Sequence, residues 1–179
     1  MASPPLLTTP RCRLEPFGPD HLTERYVGWL NDPEVVRFSE QRHSRHDMGS
    51  CKAYAQSFTN TPHYLWAILS RDAALGHIGN INAYVDVHNK TADIGIMIGE
   101  RAVWGQGLGA EAWIAVSGFL FRDLKLRKLT AGTVADNQGM LGIMRKAGMH
   151  EEARRRRQML IEGREVDMIY VAAFREDVR

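Results

Sequence analysis

Hydrophobic and polar positions change period repeatedly along the chain, and each change marks a new element. In Arg11–Phe17, Cys12, Leu14 and Phe17 form a loose apolar face, the pattern of a strand. After Pro19-Asp20, His21–Leu30 places Leu22, Tyr26, Trp29 and Leu30 at helical spacing. Asn31-Asp32-Pro33 ends that helix. Asp32 as N-cap and Pro33 as first residue start a short one over Pro33–Phe38, and Asp47 opens another over Asp47–Phe58. Aromatic and β-branched runs at Tyr64–Leu69, Ala74–Val85 and Thr91–Ile98 predict strands, separated at Arg71-Asp72 and at Asp86–Lys90. A glycine-rich turn over Trp104–Gly109 leads into a helix, Ala110–Phe121, with Trp113, Ile114, Ser117, Leu120 and Phe121 on one stripe. Arg127–Val134 reads as a strand. Asn137 then caps a helix that Gly148 terminates. Strands over Glu152–Ile161 and Glu165–Phe174 flank a Glu162-Gly163 hairpin turn. This order predicts a mixed α/β domain with a mostly antiparallel meander.

Composition narrows the class. The chain has 179 residues, 44% apolar and 25% charged, which fits one globular domain that needs no metal or disulfide staple. No apolar run approaches the ~18 residues of a membrane span. MASPPLLTTP lacks a basic segment ahead of an apolar core, which speaks against a secretory signal. Two cysteines, Cys12 and Cys51, suit a reducing, cytoplasmic setting. The net charge of +2 is far from that of a dedicated nucleic-acid binder. Residues 1–100 nevertheless carry 9 basic and 11 acidic side chains against 14 and 10 in the remainder, so a polyanion would prefer the second part. The run Arg154–Arg157, on an expected strand, reads as a charge-protected sheet edge, with an RNA contact as its alternative. His43-x-x-His46 has no third ligand at sensible spacing, so no metal site is expected.

The glycine turn is the informative element. Glycines at 105, 107 and 109 let backbone N–H groups converge at a helix N-terminus, a ready anion site. A P-loop fails because Gly109-Ala110-Glu111 lacks the Lys-Ser/Thr pair. Gly105, Gly107 and Ala110 formally meet the dinucleotide fingerprint, but the acid it needs near residue 130 is replaced by Leu129, Thr130 and Ala131. A plain structural turn is the bland alternative. The third reading is a pyrophosphate cradle for coenzyme A.

That third reading coincides with a resemblance. ADIGIMIGERAVWGQGLGAEAW followed by LRKLTAGTVADNQGMLGIMRKAGM resembles the GCN5-related N-acetyltransferases, nearest to their RimJ/RimL-like branch. Gly107 and Gly109 fill the signature glycines, Asn137 and Gly148 the later positions, and Glu162-Gly163-Arg164 with Asp167 a hairpin of the same branch. The resemblance implies that family's fold, a central mostly antiparallel sheet flanked by helices, over 11–175, with tails at 1–10 and 176–179. It implies acetyl-CoA as co-substrate, no metal, and transfer of the acetyl group to a primary amine by direct attack in a ternary complex. The strand residues Ile96, Met97 and Ile98 would face the pantetheine arm, with a backbone N–H near Met97 or Ile98 as oxyanion donor. Trp104, Gly105, Gln106, Gly107, Leu108, Gly109 and Ala110 would cradle the pyrophosphate, and Asn137 would approach from the other side. Trp104 stands where the family prefers Gln or Arg, Met149 where Phe is usual, and Met144 where many members carry a tyrosine acid.

For the base, Asp93 comes first, on the strand eleven residues before Trp104, and Glu100 in the following turn comes second. A carboxylate between apolar strands has a raised pKa and can act directly or through water; the alternative is an aspartate bonded to neighbouring backbone. His77 and His88 read as structural or solvated. The junction of the first two helices, with Trp29, Asn31, Asp32 and Glu34, would bind the amine through its carboxylates and indole, although Asp32-Pro33 is equally explained as a helix start. The acceptor would be an amino sugar, a small polyamine or antibiotic-like amine, or a protein N-terminus. No membrane partner is expected and a nucleic acid is disfavoured, while a homodimer is left open. The competing functions are a CoA-sensing or RNA-binding module on the same fold, and an NAD-dependent oxidoreductase.

Overall fold

The computed structural model describes residues 3–177. Among the described residues eight strands form one sheet in the order β1-β2-β3-β4-β5-β6-β8-β7. They are β1 (Leu7–Thr8), β2 (Cys12–Pro16), β3 (Tyr64–Ser70), β4 (His77–Asp86), β5 (Thr91–Ile98), β6 (Lys128–Val134), β7 (His150–Ile161) and β8 (Arg164–Phe174). The helices are α1 (Glu24–Leu30), α2 (Pro33–Val36), α3 (Met48–Gln56), α4 (Leu108–Arg122) and α5 (Gln138–Lys146). Every neighbouring pair is antiparallel except β5–β6, which is parallel and therefore needs the α4 crossover.

Local chemistry explains most boundaries. Thr23 accepts from Tyr26 N and Asp32 from Glu34 N, so α1 and α2 start where oxygen-bearing caps stand. Asp47 and Ser50 form a reciprocal capping box at α3. Two expectations change. The stretch 1–10 is not wholly a tail: Leu7–Thr8 pairs with Arg13–Leu14, and Trp66 Nε1 donates to Pro5 O at 2.9 Å. At the other end, a 3-10 turn runs over Arg175–Asp177, and residues 178–179 lie outside the described part. The strand expected to begin at Ala74 begins at His77, because Asp72 turns the chain through Leu75 and Gly76 first.

The sheet has two covered faces. On one, Trp113, Val116 and Leu120 of α4 and Met144 of α5 pack on Ile78, Ile81, Ile94, Leu129 and Ala131. On the other, Tyr26, Val27, Trp29 and Leu30 of α1 and Cys51 of α3 pack with Met97. β7 is the outer edge, exposed along nearly its whole length. Its Arg154 pairs with Glu151 and Asp167, and Arg157 with Glu165, so two of the four arginines in the run are neutralised locally. Among the described residues no helix is long and apolar enough to cross a membrane.

One feature of β4 controls the centre. Its register with β3 slips so that Ile68 faces Gly79 and Leu69 faces His77, leaving Ile78 as the extra residue of a bulge. Gly79 then lies against β5 so closely that an added Cβ would strike Met97 O and come within 2.9 Å of Ile98 Cα. Gly79→Ala should therefore destabilise the fold by about 1–3 kcal/mol, roughly 2–12 °C in Tm for a domain of this length. Thermal unfolding checks this, and an unchanged Tm would mean that the two strands are not locked there.

Candidate active site

β5 and β6 pair only over Thr91–Asp93 with Lys128–Thr130 and then diverge. Beyond that point each strand stays bonded to its outer neighbour, β5 to β4 through Ile98 and β6 to β8 through Val134. The divergence opens a cleft of about 880 Å³. Ile94, Gly95, Ile96, Met97 and Ile98 line it from β5, Gly132 and Thr133 from β6.

The orientation of the β5 backbone follows from its bonds. Gly99 N donates to Ile78 O on β4, so odd-numbered β5 residues turn their amides to β4. Even-numbered ones turn the other way: Thr130 Oγ1 approaches Ala92 O, and Trp104 Nε1 donates to Ile98 O at 2.8 Å. Ile94 spends its N–H on the last β6 bond, to Thr130 O, so Ile94 presents its C=O, Ile96 its N–H and C=O, and Ile98 its N–H to the opening. Met97, expected as a possible oxyanion donor, turns its N–H toward β4 instead.

The opening runs to the N-terminus of α4. Gly107, with φ of 88°, is the N-cap and has no side chain to accept from the first helical amides. Only glycine adopts that left-handed conformation without strain. Gly109 is needed for closeness instead: its added Cβ would lie 2.9 Å from Ile143 Cδ1 and 3.3 Å from Ile98 Cγ1. Trp104, Gly105, Gly107, Leu108, Gly109 and Ala110 line the cleft, whereas the Gln106 side chain folds back onto Ala102 O. Arg11 reaches the loop, donating to Gln106 O and pairing with Glu111 at 2.6 Å. Asn137 lines the cleft too, but its amide is engaged: Oδ1 caps Met140 N and Nδ2 donates to Thr133 Oγ1. An uncapped helix N-terminus joined to an unpaired strand edge suits a ligand with an anionic end and an amide-bearing arm.

The carboxylates separate. Asp93 stands at the last paired position, one residue short of the cleft wall, and accepts from Thr130 Oγ1 at 2.8 Å. The residue is exposed overall, yet loss of water around its carboxyl pushes the pKa up, against the Thr130 hydrogen bond. Glu100 does other work. It pairs with Arg25 and caps Ala102 N, which lowers its pKa, and it does not line the cleft. Met144, at the position where a tyrosine acid is common, is fully buried in the core.

The helix junction is mostly scaffold. Trp29 is buried, under Arg25, and its indole fills the space that any side chain at Gly99 would need. Asn31 uses its whole amide to pin a loop: Nδ2 donates to Val27 O and His46 O, and Oδ1 accepts from His46 N. Asp32 caps α2 and faces Arg101 at 3.7 Å. Of the four expected acceptor residues only Glu34 lines the cleft. What sequence reasoning missed stands opposite: Tyr26, Cys51 and Tyr54 from the helices, Asn80 and Asn82 from β4. Asn80 and Asn82 face Met97 and Gly95 across the strand pair, so they share that face of the sheet. Alternation along β4 could have placed the two asparagines on one face.

Asn31→Ala should cost about 1–2 kcal/mol and loosen residues 43–47. Hydrogen exchange at His46 checks this, and unchanged protection with an unchanged Tm would overturn the pinning role.

The acetyltransferase (GNAT) domain model matches residues 11–150. "Probable N-acetyltransferase YjcK" of Bacillus subtilis is 32% identical over 88 residues, and the match spans 48% of this chain and 48% of that relative. Among solved structures, ribosomal-protein-S5-alanine acetyltransferase from Vibrio fischeri superposes with a TM-score of 0.81 at 12% identity, over 98% of this chain and 100% of that one. Spermidine N-acetyltransferase from Vibrio cholerae, in complex with CoA and spermine, gives 0.80 at 14%, over 94% and 98%. The matched region runs from before β2 to the first residue of β7 and takes in the whole cleft, so the chain belongs to the GNAT acetyltransferase family.

Proposed function

We propose that the protein transfers an acetyl group from acetyl-CoA to a primary amine by direct attack in a ternary complex. The observation that carries this reading is the strand divergence after Asp93–Thr130, which leaves a free backbone edge leading to the uncapped N-terminus of α4. The free groups of Ile94 and Ile96 fit the amides of a pantetheine arm, and the amides of Leu108 and Gly109 fit a pyrophosphate. Bound acetyl-CoA supplies the acetyl group as a thioester: an N–C bond forms, the C–S bond breaks, and the amine proton leaves to a base. The Ile98 N–H, turned to the opening, is the donor to the developing oxyanion.

Asp93 is the proposed base. It lies two residues from Gly95 on the same strand face, ~7 Å along the strand, so it takes the amine proton through water. No acid is required at Met144. An ordinary thiol has a pKa of about 8.5, so the leaving thiolate is tolerable near neutrality and solvent can protonate it. Tyr26 and Tyr54 in the cleft are held protonated by burial, which makes them donors of hydrogen bonds rather than of protons. The named relatives act on spermidine and on a ribosomal protein. Here the acceptor is an amino sugar, a small amine or a protein N-terminus. Buried, free Cys12 and Cys51 support a cytoplasmic setting.

Acetyl-CoA should raise the Tm, NAD should not, and adding amines should release thiol; a thermal shift from NAD alone would overturn the reading. Gln106→Glu places a carboxylate beside the α4 N-terminus. It should raise the acetyl-CoA KM about tenfold at low salt, and less at high salt. A salt-independent change would remove the loop from the site.

Asp93→Asn should lower turnover by roughly 10²–10⁴, with recovery at high pH where the amine is already neutral. A base works when ionised. Wild-type activity should therefore fall as pH drops through a value above the ordinary 3.8, and the variant should lack that limb. Wild-type turnover in the variant at pH 7 would remove Asp93 from the mechanism.

A further inference from the structure

The cleft wall holds a buried amide that the transfer reading leaves unused. Asn80 is 7% exposed and lies on β4 opposite Met97. Its Oδ1 is 2.9 Å from His77 Nε2, which is also 3.0 Å from Gly79 O. Both neighbours are acceptors, so Nε2 carries the proton and donates to them. That orients the amide. The opposite flip would set two donors face to face, or would need the His77 proton on Nδ1, which is buried without a partner. His77 cannot easily turn, because Phe17, His21, Tyr26 and Trp29 surround its ring at centroid distances of 5.0–6.4 Å.

With Oδ1 spoken for, Nδ2 is left as a buried donor with no partner among the described residues. Burying a donor unmet in this way is costly. It marks either strain or a ligand contact, and Asn80 lines the cleft. Asn82 lines the same wall two residues on, its Oδ1 close over Gly95. Met97, the cross-strand neighbour of Asn80, has an unbranched side chain that can turn aside to admit a ligand.

The charges on the wall point the same way. Its ionisable lining groups include one carboxylate, Glu34, together with His46 and Lys146. A polyamine offers only N–H donors and positive charge. It would leave Nδ2 unmet and would find a single acid. An amine with an oxygen on the neighbouring carbon satisfies the donor.

We infer that Asn80 donates to an oxygen adjacent to the reacting amine, so that the acceptor carries the N–C–C–O unit shared by amino sugars and peptide N-termini, with His77 as the residue that positions the amide. This rests on the acetyl-transfer reading, and it selects within the acceptor classes that reading leaves open. A site built to hydrogen-bond an oxygen rejects analogues lacking it far more strongly than a site that measures size alone.

The test uses matched acceptors in the thiol-release assay, with rates corrected to neutral amine: alaninamide against sec-butylamine, glucosamine against cyclohexylamine, and spermidine alone. The wild-type protein should favour the oxygen-bearing member of at least one pair by tenfold or more in kcat/KM, and the pair that shows it distinguishes peptide from sugar. Asn80→Ala should abolish that preference, mainly through the acceptor KM, by lowering the oxygen-bearing amines at least tenfold more than the oxygen-free ones. Asn80→Asp, which keeps the shape but turns a donor into an acceptor, should do the same. His77→Phe should weaken the preference, and His77→Gln, which restores an N–H donor, should recover it. Equal losses for both members of a pair would show that the amide serves the thioester or the fold. Spermidine as the best acceptor would overturn the inference outright. If no amine releases thiol, the transfer reading fails on its own. The Asn80 side-chain amide resonance then decides: a shift on adding alaninamide or glucosamine with CoA supports the contact, and no shift with either overturns it.

Discussion

The parting of β5 from β6 is the constraint on which everything else rests. A parallel pair in the middle of a sheet normally exchanges every backbone hydrogen bond, and buried amides left without partners are costly. Here pairing stops after three residues of each strand, Thr91–Asp93 with Lys128–Thr130. The open stretch persists because both strands are held from outside, over eight residue pairs between β4 and β5 and seven between β6 and β8. The wedge cannot zip shut without breaking those ladders.

Several oddities of the sequence are there to hold this wedge. The β4 bulge at Ile78 draws Gly79 against Met97 and Ile98, which fixes the end of β5. The buried indole of Trp29 occupies the space above Gly99, so the chain must turn there rather than continue as a strand. Trp104 closes the last free carbonyl of β5, and Arg101 lies over its ring at 5.8 Å. These are packing devices, yet their effect is to present free amides at a set position.

How far the residues alone could reveal this varied with the range of the forces involved. Caps and periods are local, so the starts of α2, α3 and α5 and the strands β3, β5, β6 and β8 stand within a residue or so of where pattern places them. The glycine loop was legible for the same reason: Gly105 and Gly107 take positive φ directly ahead of α4, and the helix starts without a side-chain cap. β1 was not, because two residues carry no period and are held by pairing to β2. The helix junction misled because Trp29 and Asn31 look like ligand-binding types. The first is instead consumed by Gly99 and the second by the loop at His46, contacts 70 and 15 residues away in sequence. Asn80 and Asn82 share a face by simple alternation, but that this face lines the cleft is set by pairing with β5 and by the helices opposite, which no local pattern shows.

Strand geometry gives one short segment two faces, enough for the two substrates of the proposed reaction. Along β5 the even-numbered side chains, Ile94, Ile96 and Ile98, belong to the core beneath α4, and the odd-numbered Met97 belongs to the cluster beneath α1 and α3. Backbone groups lie between these faces, in the plane of the sheet. In the proposed reaction a long ligand anchored at the α4 N-terminus would enter the wedge from one side, while the wall with Asn80, Asn82 and Glu34 stays open to a second from the other. Neither has to leave for the other to bind. An in-plane amide at Ile98 can then face the reacting carbonyl while the amine approaches from the α1–α3 side. The alternation of a strand whose partner has moved away thus gives the two substrates of the proposed ternary complex separate approaches.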